Sequence, residues 1–366
     1  MDLSAKVVER ELFRKKLYED ILQWLIKQLP KLRYKEVCHL LLRYLFNKNI
    51  TRQQTDDPVF IITKSPMAEN QLKKDFEYSK ITGIDPNKII DQIESKFVNS
   101  AAQIIDKNIR TDRKVSICKE GILYGNKIYT DISGLGSKYP NSISYALALN
   151  IRYTYLKLLN HGLARTFDDM GYTPKDSTEG FASAFNHYFD RYCSAFPDLE
   201  QHFGSQGSFF NNNVWLSKEV FINPPFDECL MTCTMNKVYE YLTNSNEYHK
   251  FIFTLPNWDN YPELESLKKS KWTTSAIVHK KGELPFIDYM NDKKIIYPCD
   301  IAEIVLENLF LIKSDKPEIL ENTQKEKKDD KETNVKKEEI IHEKIDKKSK
   351  IKKKKEIVII FEDEEE

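Results

Sequence analysis

Leu17, Ile21, Trp24 and Leu25 fall on one face of a helix, and Pro30, which has no amide hydrogen to donate, stops it. Val37, Leu40, Leu41, Tyr44 and Leu45 repeat the spacing in a second helix. Residues 51–65 read as a loop leading into a short apolar run at Val59–Ile62. A further helix is expected from Pro86 to about Lys107, with Ile89, Ile90, Ile93 and Phe97 inward. The period then changes to two. Val115–Ile117, Ile122–Tyr124 and Lys127–Thr130, with the turn Gly125-Asn126, predict a hairpin. A long helix follows from about Ser142 to Leu163, and beyond it short apolar runs alternate with helical patterns. Strands are expected ending near Glu179–Phe181 and at Tyr192–Phe196, Val220–Ile222, Phe251–Leu255, Ser275–His279 and Ala302–Leu309. Helices are expected at Phe185–Asp190 and Asp227–Thr243. That alternation predicts an α/β fold with a mostly parallel sheet and ligands at the carboxyl ends of its strands.

With 366 residues the chain has room for two modest domains and a tail. The boundaries expected are a mainly helical head at 1–135, a sheet domain at 136–312 and a disordered Lys/Glu-rich tail at 313–366, which lacks the apolar residues to build a core. Lys+Arg and Asp+Glu are equal at 56 each, so net charge is silent about partners. Its distribution is less so: residues 1–120 carry 23 basic and 17 acidic side chains, whereas 121–312 carry 17 and 22. A basic head on an acidic middle suits a head that holds a polyanion, and a solvated helical face accounts for it about as well. Within the tail, Lys347–Lys355 is a candidate nuclear-import patch, and Ile357–Phe361 before an acidic run is a candidate strand for a sheet-edge partner. An ordinary low-complexity tail also explains both.

The six cysteines show no metal-ligand spacing, so no metal is expected and they read as small buried hydrophobes. No signal peptide opens the chain and no 18-residue apolar run occurs. The expectation is an intracellular protein of nucleus or cytoplasm with no membrane partner.

Asn223-Pro224-Pro225-Phe226 closes the apolar run Glu219–Ile222 and carries the most chemistry. An exocyclic amino nitrogen of adenine is a poor nucleophile, because its lone pair is delocalised into the ring. Two acceptors on its N–H bonds, the Asn223 side-chain oxygen and the Pro224 carbonyl, would make it receptive to a methyl group. Prolines fix φ and donate nothing, which holds that carbonyl in place. Phe226 offers a face on which an unpaired base can stack.

Three blocks in order carry a resemblance: Thr178–Asn186, Tyr192–Asp198 running through to Phe203–Phe210, and Phe221–Met231. The series resembles the cap-specific adenosine N6-methyltransferase family, also called phosphorylated CTD-interacting factor, whose members carry EGFAS, CSAFPD…FGS and NPPF segments at similar intervals. Phe253–Asp259, with Lys271-Trp272 beyond, resembles the family's Pro-x-Trp segment. The resemblance covers roughly residues 160–312. It implies a class I S-adenosylmethionine-dependent (Rossmann-like) methyltransferase fold and, as substrate, the first transcribed adenosine at the capped 5′ end of mRNA. It also raises the transcription machinery as a partner. The tetrad Asn223, Pro224, Pro225 and Phe226 is then catalytic, and Glu179, Gly180, Phe181, Ala182, Asn186 and Asp198 are candidates for the donor pocket. Phe226, Glu228, Trp258, Arg110, Arg113 and Lys114 are candidates for gripping the RNA. Two departures stand out. Ala184-Phe185 replaces the family's Pro-Leu, and the four tryptophans lack the paired spacing of a WW domain. The Lys/Ile/Asn-rich composition fits an AT-rich genome, of which a large DNA virus is one source, and a viral factory would then be the site of action. The same tetrad serves enzymes that methylate adenine in DNA or at internal RNA sites, and an inactive cap-binding relative is a third reading.

Overall fold

The computed structural model describes residues 3–308 apart from 82, 110, 131–133, 159–163, 166–176, 212–216, 285 and 289–292. Arg110 and the tail at 313–366 therefore lie outside the described residues.

Four helices build the head. α1 (Leu3–Gln28) starts well before the stretch expected from its apolar face, and Leu29-Pro30 follow it. α2 (Tyr34–Asn49) turns Val37, Leu41 and Leu45 inward. α3 (Pro66–Tyr78) was not expected, although its start signal is present: Ser65 accepts the Ala68 amide at 3.4 Å and Pro66 occupies the first helical position. α4 (Pro86–Asp106) starts by the same logic, with Asp85 accepting the Asn87 amide at 2.9 Å, and buries the four apolar residues expected of it. The hairpin signal resolves into three antiparallel strands, β1 (Val115–Cys118), β2 (Gly121–Tyr124) and β3 (Lys127–Tyr129). After α5 (Leu135–Lys138), α6 (Ile143–Tyr155) ends earlier than expected, where Lys157 takes a positive φ of 60°.

The chain then lays down β4 (Ala164–Arg165), β5 (Ser177–Glu179), β6 (Arg191–Tyr192), α7 (Pro197–Glu200), β7 (Glu219–Ile222), α8 (Glu228–Asn244) and β8 (Lys250–Pro256). It finishes with α9 (Pro262–Lys268), β9 (Thr273–His279), β10 (Phe286–Asp288), β11 (Lys293–Ile295) and β12 (Ile301–Glu307). The main sheet has the order β6-β5-β7-β8-β12-β9. β6, β5, β7 and β8 pair in parallel, and β12 runs antiparallel to both of its neighbours. β4, β10 and β11 form a separate antiparallel sheet. The result is a mixed α/β fold with a parallel-rich sheet.

Two expectations fail locally. At Phe185–Asp190 a single turn begins, with Asn186 and His187 donating to the Ser183 carbonyl, but it does not continue as a helix because the Tyr188 and Phe189 amides go to the Glu179 carboxylate instead. The strand expected at Tyr192–Phe196 is only Arg191–Tyr192, after which a bridge from Tyr192 to Ser205 takes over.

Alternation in β7 sends Val220 and Ile222 to the face covered by α8 and α9, and Phe221 to the opposite face against Phe189. A second apolar cluster runs from α1, α2, α4 and α6 through Ala184, Phe185, Phe196 and Phe203, so one core serves head and sheet together. The described residues 3–308 accordingly belong to one compact unit. Each fully buried Leu, Ile or Phe stabilises it by about 1.5–3 kcal/mol.

Candidate active site

β5 has β6 on one side and β7 on the other, so the chain leaves its carboxyl end in one direction and leaves that of β7 in the other. Where strand order reverses in this way, the diverging connections leave a crevice outside the strand ends. A cavity of about 470 Å³ lies there. Gly180–Ser183 and Asn186 line it after β5, Cys193–Ala195 after β6, and Asn223–Asp227 after β7.

The loop after β5 is held tightly. The Gly180 amide donates to the Phe221 carbonyl at 2.7 Å, and a Cβ at this position would meet Phe209 carbons at 3.0 and 3.1 Å and that carbonyl at 3.3 Å. Only glycine permits so close an approach. Cys193 donates to the Glu179 carbonyl at 2.8 Å and Ala182 to the Cys193 carbonyl at 3.0 Å, which continues the pairing of the two strand ends into the cavity wall. The Asn186 side-chain oxygen accepts both the amide and the hydroxyl of Ser183 at 2.9 Å. Beneath the loop, fully buried Glu200 accepts the Ala184 amide at 2.7 Å and the Tyr153 hydroxyl at 3.0 Å. Burial pushes its carboxyl up to about 8, against the pull of those two donors.

The tetrad forms the opposite wall. Asn223 is half-buried, lines the cavity and makes no side-chain hydrogen bond among the described residues. Pro224 is buried and Pro225 exposed. Phe226 lies with its ring centroid 4.9 Å from that of Tyr297, which also lines the cavity, and 6.4 Å from that of Phe286. Asp227 closes the turn by donating its amide to the Pro225 carbonyl at 2.7 Å, and its carboxylate caps α8 through the Leu230 amide at 2.9 Å.

The cavity thus gathers Gly180, Phe181, Ala182, Asn186 and the whole tetrad. Other sequence candidates lie elsewhere. Glu179 stands behind the wall, its carboxylate occupied by the Tyr188 and Phe189 amides at 2.8 and 3.3 Å. Asp198 pairs with Arg152 at 2.7 Å and does not line the cavity. Glu228 is exposed on the first turn of α8. Trp258 packs against Tyr261 with centroids 6.2 Å apart. Arg113 pairs with Glu9 at 3.3 Å and lies over the Tyr124 ring, and Lys114 beside it is exposed.

Sequence reasoning missed the ceiling. His39, Arg43 and Phe46 descend from α2 into the cavity, and Tyr297 comes from the loop before β12. Their spacing of four and then three is that of one helical face, but nothing local separates such a face from an ordinary solvated one. Burial and then nearby Arg43 push the His39 imidazole below its usual range, which favours its neutral form near pH 7. Among the described residues, no cluster of His, Cys, Asp and Glu could hold a metal ion, and no helix is long and apolar enough to cross a membrane.

A family model described as the phosphorylated CTD interacting factor 1 WW domain matches residues 157–289, a span that runs from just past α6 through β10 and includes the tetrad. The mouse protein named mRNA (2′-O-methyladenosine-N(6)-)-methyltransferase is 38% identical over 104 residues, which is 28% of this chain and 15% of the mouse protein. The human protein of the same name is 36% identical over 104 residues, again 28% of this chain and 15% of the relative. The matched segment therefore spans 15% of the length of these curated relatives.

Proposed function

We propose that the chain is a member of the phosphorylated CTD interacting factor family whose model matches its residues 157–289, and that it methylates the N6 amino group of the cap-adjacent adenosine of mRNA, with S-adenosylmethionine as donor. The observation that carries the reading is Asn223: a side-chain amide with no hydrogen-bond partner among the described residues, lining the same cavity as the Gly180 loop. A sheet in which β12 alone is reversed, lying between β8 and β9, supports the class I methyltransferase assignment.

The cavity suits the donor. Its size is in the range of small-molecule sites, and aromatic Phe209 and Phe210 combine with backbone at 180–183 and the small residues Ala182 and Ser194. When bound, S-adenosylmethionine supplies an electrophilic methyl group whose C–S bond breaks as the new N–C bond forms. The protein's part is positional and electrostatic. The Asn223 side-chain oxygen and the Pro224 carbonyl accept the two N–H bonds of adenine and bring its nitrogen towards a tetrahedral, nucleophilic shape. Phe226 stacks the base, with Tyr297 beside it. No base need act before attack, because the nitrogen sheds its extra proton afterwards. Glu179 and Asp198 contribute from behind the wall, through the 188–189 turn and through Arg152.

The test is mass spectrometry of nucleosides from capped RNA that begins with 2′-O-methyladenosine. The expected result is N6-methylated product with the native protein and a loss of about 100-fold or more with Asn223→Ala, the range seen when one positioned polar group is removed. Equal rates on uncapped RNA would remove the cap requirement, and full activity of Asn223→Ala would remove the mechanism.

A further inference from the structure

Arg43 spans three elements at the edge of the cavity. Its guanidinium meets the Asp227 carboxylate through Nε at 2.8 Å and Nη2 at 2.7 Å, and Asp75 of α3 through Nη1 at 2.9 Å. Asp75 also accepts from Gln71 at 3.0 Å, which fixes it in turn. Asp227 is the residue that follows the tetrad, caps α8 and closes the turn onto the Pro225 carbonyl. With two carboxylates on one cation, the group has no positive charge to spare for an RNA phosphate. The geometry points to a different role: Arg43 is a positioning residue, a strut by which α2 and α3 of the head fix the register of Asn223–Phe226 for attack.

This inference rests on the methyl transfer proposed above. The tetrad leaves its strand with no regular pairing at Asn223, and Pro225 is exposed, so little else restrains the loop on its outer side. Nε and Nη2 converge on the single oxygen Asp227 Oδ2 while Nη1 reaches Asp75, so the planar guanidinium restrains both distance and angle, which a single ammonium cannot do. Misplacement of a reacting group by about 1 Å can cost on the order of 100-fold in rate.

The experiment uses the full chain and capped RNA, with kcat, the KM of each substrate, the affinity for S-adenosylmethionine and Tm measured in parallel. Arg43→Gln is expected to lower kcat about 30- to 100-fold while donor affinity stays within about twofold, because the donor loop is held by a separate set of bonds. Arg43→Lys should recover only part of the loss. Asp227→Asn keeps a good helix cap but weakens the pair, and should fall in kcat likewise. The Arg43→Gln/Asp227→Asn double variant should be no worse than the poorer single one. If Arg43→Gln does not fold, Asp227→Asn and Asp75→Asn carry the same test. Native kcat in Arg43→Gln, additive losses in the double variant, or kcat and donor affinity falling together with Tm would each overturn the strut. Absence of product from the native protein would overturn the underlying reaction and the strut with it.

Discussion

Glu200 shows how a single side chain can shape the site without touching it. Its carboxyl is pushed from an ordinary 4.5 up to about 8 by burial, so the folded state holds its proton across a range where the unfolded chain has released it. Stability from this group is complete below about 4.5 and is lost as pH rises through about 8. Urea unfolding of the native protein should therefore show stability falling over that window, and Glu200→Gln should flatten the fall. A slope unchanged by Glu200→Gln would place the proton elsewhere. A complementary test is Gly180→Ala, whose added Cβ would press on Phe209 at 3.0 Å. It is expected to weaken S-adenosylmethionine binding by calorimetry about tenfold, with about 1–3 kcal/mol of lost stability from overpacking. What was legible at this scale was what is contiguous in sequence. Asn223–Phe226 stands out as a motif in the sequence itself and lines the cavity, whereas Glu200 and Arg43 take their places through partners 47 and 184 positions away.

Elements were legible where one pattern dominated. α2, α4, α8 and the strands β7, β8, β9 and β12 follow apolar periodicity strong enough to survive without tertiary help. The segment 185–190 did not, since buried Glu179 captures the Tyr188 and Phe189 amides and a helix former in isolation stops after one turn. α3 was passed over because its apolar stripe is short: Ala68, Leu72 and Phe76 are its buried hydrophobic residues. β7 couples these facts. Phe221, almost wholly buried, stacks on Phe189 at 4.9 Å, while its carbonyl accepts the Gly180 amide. Phe221→Ala should cost about 3–5 kcal/mol in urea unfolding, as large-to-small core substitutions do. It should also raise hydrogen exchange at the Tyr188 and Phe189 amides, because the turn loses its packing partner. Unchanged protection there would mean that Glu179 alone holds the turn.

At the scale of the whole molecule, the decisive feature is a buried charge network that crosses between head and sheet. Glu11 of α1 is fully buried and accepts from Arg152 of α6 at 2.9 and 2.6 Å, from Arg14 at 2.9 Å and from the Tyr155 hydroxyl at 2.7 Å. Arg152 continues to Asp198, just past the strand end that borders the cavity. Burial alone would raise the Glu11 carboxyl, but Arg152 and Arg14 outweigh it and hold the group down at about 2. Its contribution is then present above the ordinary 4.5 and lost as pH falls through about 2. Glu11→Gln should cost about 3–5 kcal/mol at neutral pH, because it strands the buried Arg152 guanidinium. The variant should lose less stability between pH 5 and 2 than the native protein. Removing Glu11 and Arg152 together should not restore stability as it does for simple buried pairs, since Arg14, Tyr155 and Asp198 would each lose a partner. Since the same apolar cluster also joins both parts, unfolding followed by tryptophan fluorescence and by far-ultraviolet circular dichroism should give one coincident transition. Two separated transitions would mean that the head folds alone, and a strut from α2 could then not hold the tetrad in register.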